Sequence, residues 1–126
     1  MTKHNETILV VEDDTQIRNF ISYSLRQEGF HCFAAGTAQN AMSQLVSGQI
    51  DLVLLDLGLP DFDGMEVIRK VREWSEIPII VVSARDQDNE KVSALDIGAD
   101  DYLTKPFSAT EPVSYTHLTL PTILLV

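Results

Sequence analysis

Asp51-Leu52-Val53-Leu54-Leu55-Asp56-Leu57-Gly58-Leu59-Pro60-Asp61 decides how the rest of the chain is read. Four consecutive apolar residues end on a carboxylate, and a glycine and a proline follow closely. A short unbroken apolar run bounded by turn residues marks a strand buried on both faces, as in a parallel sheet. Asp56 is then the first residue out of the core, at the strand's carboxyl end. In open α/β sheets that end is where ligands bind, so Asp56 is the candidate working group.

Working outward, Ile8–Val11 is a second apolar run, and it ends on Glu12-Asp13-Asp14. Ile17, Phe20, Ile21 and Leu25 then recur at helical spacing, with Asp14 or Thr15 as cap and Gly29 as stop. Residues 31–35 predict a weaker strand at a sheet edge. Thr37 opens a helix carrying Ala41, Met42 and Leu45 on one face, closed by Gly48. Beyond the Pro60–Gly64 loop, Val67, Ile68 and Val71 predict a helix ending near Trp74. Pro78 precedes a fourth strand, Ile79–Val82, followed by Ser83-Ala84-Arg85. Gln87–Ile97 predicts a weakly amphipathic helix with Val92 and Leu95 inward, stopped by Gly98. Tyr102-Leu103-Thr104 predicts a short fifth strand, followed by Lys105-Pro106. Strands alternating with helices give an α/β fold: a doubly wound, five-stranded parallel sheet with right-handed crossovers.

At 126 residues the chain has the length of one domain with one core. No run approaches the roughly 20 apolar residues of a membrane span, and residues 1–7 lack the apolar segment of a signal peptide. A cytoplasmic protein is expected. Cys32, the single cysteine, reads as a small buried hydrophobe rather than a nucleophile. The formal net charge is -10, from 19 acidic and 9 basic residues. Such a surface repels nucleic acid unless it carries a basic patch. Arg69-Lys70 with Arg72 reads only as a solvated helix face.

In a parallel sheet the carboxyl ends of all strands share one edge. Glu12 and Asp13, Asp56, Ser83 and Lys105 follow the first, third, fourth and fifth strands there. Clustered carboxylates repel and call for positive charge. A hard divalent cation such as Mg²⁺ supplies it, and Lys105 adds a compact ammonium. Ser83 and the backbone N–H groups of Ala84 and Gly58 can complete a cradle for phosphoryl oxygens. Such a set suits phosphoryl transfer, with Asp56 itself as acceptor. Each signal alone has a blander reading, as a helix cap or a turn; their order at successive strand ends is what carries weight.

Val10-Val11-Glu12-Asp13-Asp14, Leu54-Leu55-Asp56-Leu57-Gly58-Leu59-Pro60 with Asp63-Gly64, Val82-Ser83-Ala84, and Asp100-Asp101-Tyr102-Leu103-Thr104-Lys105-Pro106-Phe107 resemble a response-regulator receiver domain over residues 7 to 111. The last stretch is similar to the winged-helix transcriptional subfamily. The resemblance implies a flavodoxin-like sheet of order 2-1-3-4-5. It implies that Asp56 takes a phosphoryl group from a sensor histidine kinase. Asp13, Asp56 and the Gly58 carbonyl would bind Mg²⁺, with Glu12 acting through a water, while Ser83 and Lys105 hold the phosphoryl oxygens. Ser83 and Tyr102 would move inward on phosphorylation, remodelling the face of the fourth helix and fifth strand. The Lys105–Pro106 bond is expected to be cis.

The chain departs from the family after Phe107. Residues 112–126 contain Pro112 and Pro121, no charged residue, and no helical stripe; prolines and β-branched residues oppose the expected fifth helix. The domain reading is a receiver over 1–111 and an atypical, non-native tail over 112–126, without a recognisable DNA-binding domain. Self-association is expected through the helix 4/strand 5 face or through the tail. Lys91, Asp100 and Asp101 stand as half of the family's salt bridges, without partners. A Mg²⁺-dependent phosphatase of the haloacid-dehalogenase type is the alternative, but it wants a second Asp where Gly58 stands. A pure interaction module with a vestigial pocket is disfavoured by the complete set Asp13, Asp56, Ser83 and Lys105.

Overall fold

A computed structural model describes residues 6–83 and 88–104. Five strands alternate with four helices: β1 (Thr7–Val11), α1 (Thr15–Gln27), β2 (His31–Ala35), α2 (Ala38–Val46), β3 (Leu52–Leu55), α3 (Gly64–Arg72), β4 (Ile79–Ser83), α4 (Asp88–Asp96) and β5 (Asp101–Thr104). All neighbouring strands pair in parallel, in the order β2-β1-β3-β4-β5. The doubly wound sheet expected from the alternation of runs is the one observed.

Alternate side chains of each strand point to opposite faces, and here both faces are covered. Leu9, Val11, Val53, Leu55, Ile79 and Val81 pack on one side with Ala41 and Leu45 of α2 and Val67, Ile68 and Val71 of α3. Ile8, Val10, Leu52, Leu54, Ile80 and Val82 pack on the other with Ile21 and Leu25 of α1. This double burial is why the central strands are apolar without interruption. Each fully buried Val, Leu or Ile contributes roughly 1.5–3 kcal/mol. β2 lies at an edge with three of its five residues exposed, as its weaker sequence suggests.

The helix ends carry the expected signals. Asp14 caps α1 by accepting from the Gln16 and Ile17 N–H groups, and Thr37 caps α2 by accepting from Asn40. Asp63 caps α3 through the Met65 N–H. Free N–H groups at a helix start need such acceptors.

Four expectations are corrected. In α4 the inward residue is Ala94, wholly buried, whereas Val92 and Leu95 are 56% and 38% exposed. A small side chain at 94 lets the helix approach the sheet closely, and Val92, two residues away, falls on the opposite side of the helix. Arg72 is not part of a solvated face. Its Nε donates to the Gly98 carbonyl at 2.9 Å and its Nη2 to Asp100 Oδ2 at 2.9 Å. Asp100 therefore has an ion-pair partner, and it also accepts the Ile79 N–H at 2.8 Å. Gly98 has φ 124°, and a Cβ there would lie 2.8 Å from Arg72 Cγ. Asp101 accepts the Tyr102 N–H, while Lys91 forms no ion pair among the described residues. Ser83 is the last residue of β4 rather than the first beyond it. The Lys105–Pro106 bond, the fifth-helix region and residues 112–126 lie outside the described residues.

Gly64 begins α3 directly under the β3 exit. A Cβ there would sit 2.7 Å from Leu57 Cα and 3.0 Å from the Asp56 carbonyl oxygen. Backbone cannot yield as a flexible side chain can, so Gly64→Ala is expected to destabilise by about 1–3 kcal/mol, measured as a lower urea midpoint with unchanged m-value.

Candidate functional site

The register of the strands builds the site. β1 and β3 pair Val11 with Leu55, so Glu12 and Asp56 leave the sheet side by side. The Asp56 N–H donates to the Val11 carbonyl at 2.9 Å, and the Glu12 N–H to the Ala35 carbonyl at 2.9 Å. These bonds extend the ladder one step beyond the strands and fix both residues at the rim. β3 and β4 pair Leu55 with Val81, which sets Ser83 two residues further along the neighbouring strand.

Carboxylate oxygens of Glu12, Asp13 and Asp56 lie within 4.8 Å of one another. Glu12 is buried, Asp56 half-buried and Asp13 exposed. Each like-charged pair at such a distance costs roughly 1 kcal/mol even at the dielectric of water. Three such pairs around an opening to solvent favour a cation. All donors are hard oxygens, from one buried and two accessible carboxylates, and this fits a small divalent ion that keeps some of its waters. Gly58 leaves the acceptor side open: a Cβ there would stand 3.9 Å from Asp56 Oδ2. Ser83 and Tyr102 are buried, at 2% and 5% exposure, and Tyr102 packs in the core on the α2 and α3 side of the sheet. Ala84 and Lys105, also expected at the rim, lie outside the described residues.

Two contributors were not legible in the sequence reading. Arg18, one turn into α1, donates from Nη1 to the Glu12 carbonyl at 2.9 Å and reaches the Asp13 carbonyl at 3.5 Å. Asp61, just past Pro60, accepts the Ala38 N–H at 2.8 Å on Oδ1 and the Gln39 N–H at 3.0 Å on Oδ2. It thereby caps α2 from a loop more than 20 residues away and ties the Gly58 loop to that helix. The sequence signal for Asp61 is an acid in a turn whose following helix already has Asp63 as its cap. These N–H donors, Ala38 first, hold the Asp61 carboxyl below the usual carboxylate range despite partial desolvation. Cys32 packs against the α1-side core. Burial pushes its thiol up to about 11, against a smaller lowering by Arg26.

The chain matches the family of the response regulator receiver domain over residues 8–116, and it belongs to that family. Among individual proteins it is 48% identical, over 104 residues, to the KDP operon transcriptional regulatory protein KdpE of Escherichia coli K12. That match takes in 82% of this chain and 46% of KdpE, so the chain spans about half the length of this relative. Of solved structures, a two-component response regulator from Clostridium difficile superposes with a TM-score of 0.83 at 26% identity, covering 96% of this chain and 97% of that one. The BeF3-activated N-terminal receiver domain of Klebsiella pneumoniae RstA gives 0.78 at 29% identity, covering 91% and 98%. Nothing in these likenesses supports the phosphatase alternative. No helix among the described residues is long and apolar enough to cross a membrane.

A lowered folded-state pKa makes the Asp61 contribution complete above the unfolded value near 3.8 and lost as pH falls through the lower folded value. Asp61→Asn keeps one acceptor oxygen where two are used. The variant is expected to melt below wild type at pH 6, with the gap closing towards pH 3, as followed by circular dichroism. With its thiol near 11, Cys32 is expected to react with iodoacetamide at pH 7.5 about 100-fold more slowly than an ordinary cysteine, with normal reactivity restored in denaturant.

Proposed function

We propose that Asp56 accepts a phosphoryl group from a phosphohistidine of a sensor histidine kinase. The observation that carries this reading is the convergence of Glu12, Asp13 and Asp56 at the end of β1 and β3, in a chain of the receiver family. A carboxylate oxygen of Asp56 forms the new O–P bond as the P–N bond breaks, and the imidazole keeps the electron pair and takes up a proton. Asp13 and Asp56, with the Gly58 carbonyl, would hold Mg²⁺, and Glu12 would act through a bound water. When bound, the ion offsets the negative charge of the carboxylates and the incoming phosphoryl oxygens. Ser83, Lys105 and the Ala84 N–H take up those oxygens. The acyl phosphate is also open to formation from a small phosphodonor and to hydrolysis by water.

The output is a change in the face formed by α4 and β5, where Tyr102 lies, which biases self-association. In this reading residues 1–111 are the receiver unit and 112–126 a tail of different character that offers a second route to self-association. The kinase and this chain meet in the cytoplasm. The likeness to KdpE supports control of transcription as the eventual output, while the charge of -10 opposes direct contact of this chain with nucleic acid.

Asp56→Asn is expected to keep the melting temperature of wild type within a few degrees and to lose labelling by acetyl phosphate with Mg²⁺. Undiminished labelling of the variant would move the acceptor to another residue.

A further inference from the structure

The β1–α1 turn carries two of the three clustered carboxylates, and the bonds among its own three residues hold only part of it. Asp14 is occupied as the α1 cap. Glu12 Oε2 accepts the Asp14 backbone N–H at 3.2 Å, which ties the end of the turn but not the Glu12 and Asp13 carbonyls. The backbone is held from outside. On the N–H side, Glu12 is tied to the end of β2 through Ala35. On the carbonyl side it is tied to Arg18, whose Nη1 also reaches the next carbonyl, that of Asp13.

We infer that Arg18 is the positioning residue of the metal-binding turn: its guanidinium grips the Glu12 and Asp13 carbonyls and so aims both carboxylates at the site shared with Asp56. The chemistry of the contact supports this. Among the described residues Arg18 makes no ion pair with a carboxylate, although three stand nearby. A guanidinium paired with those carboxylates would compete with a cation for the same oxygens. Bonded instead to the carbonyls behind them, it fixes the turn without itself occupying the acidic oxygens. Loss of a group that orients metal ligands commonly weakens metal affinity by about 10–100-fold.

Gly36 supplies an independent handle. A Cβ at this position would lie 3.0 Å from Arg18 Nη1, and Gly36 is not among the positive-φ glycines, so its backbone accepts alanine. Gly36→Ala presses on the guanidinium without removing its charge.

The inference rests on the phosphoacceptor reading of Asp56, and calorimetric titration with Mg²⁺ alone separates the two. Arg18→Met is expected to weaken Mg²⁺ binding about tenfold, and Gly36→Ala to weaken it by a smaller factor in the same direction. Labelling by acetyl phosphate should fall at low Mg²⁺ and recover at saturating Mg²⁺ in both variants, with Arg18→Lys restoring part of the affinity. A purely structural role would lower the metal-free melting temperature and slow labelling at every Mg²⁺ concentration, which would overturn the inference. So would unchanged or tighter Mg²⁺ binding by Arg18→Met, the result expected if removing a positive charge near the acids were the main effect. Wild-type protein that bound no Mg²⁺ would overturn the phosphoacceptor reading and this inference together.

Discussion

Everything at the rim depends on the in-register parallel pairing of β1 with β3. Because Val11 stands opposite Leu55, the next residue on each strand is an acid facing an acid. No flexible loop would hold three carboxylates within 4.8 Å of one another against their own repulsion. The sheet does so because the adjoining residues are wholly apolar and buried on both faces. Moving Glu12 or Asp56 away would break the Glu12–Ala35 and Asp56–Val11 backbone bonds and expose part of that core. Folding energy from the interior is thus used to maintain an unfavourable electrostatic arrangement at the edge.

The turns that complete the rim are too short to pack cores of their own, and polar anchors to backbone groups hold them. Asp14 and Asp63 cap the helices that follow their own turns. Asp61 and Arg18 work over longer range, one accepting from the start of α2 and the other donating to the β1–α1 turn. Such bonds fix the rim turns to the helices and the strand ends around them.

At the opposite end of the sheet, Arg72 links α3 to the α4–β5 turn and, through Asp100, to the start of β4. A residue that its neighbours Arg69 and Lys70 suggest is solvent-facing becomes a tie between three elements. It fixes where β5 begins, and so how far Tyr102 and Thr104 reach along β4 towards Ser83.

Local chemistry determined a great deal. Apolar runs as short as Leu52–Leu55 bounded by turns, the caps at Asp14 and Thr37, and the acids placed just after the runs were enough to yield the sheet and the Glu12, Asp13 and Asp56 cluster. They suffice because burial, capping and strand-end position are each set by a residue and its near neighbours. Tertiary structure alone decided the roles of Arg18, Asp61, Arg72 and Ala94. A long side chain reaches a carbonyl on another segment, a carboxylate caps a distant helix, and a small residue sets a helix's rotation on its sheet. Those outcomes depend on distances between segments that only the assembled fold brings close.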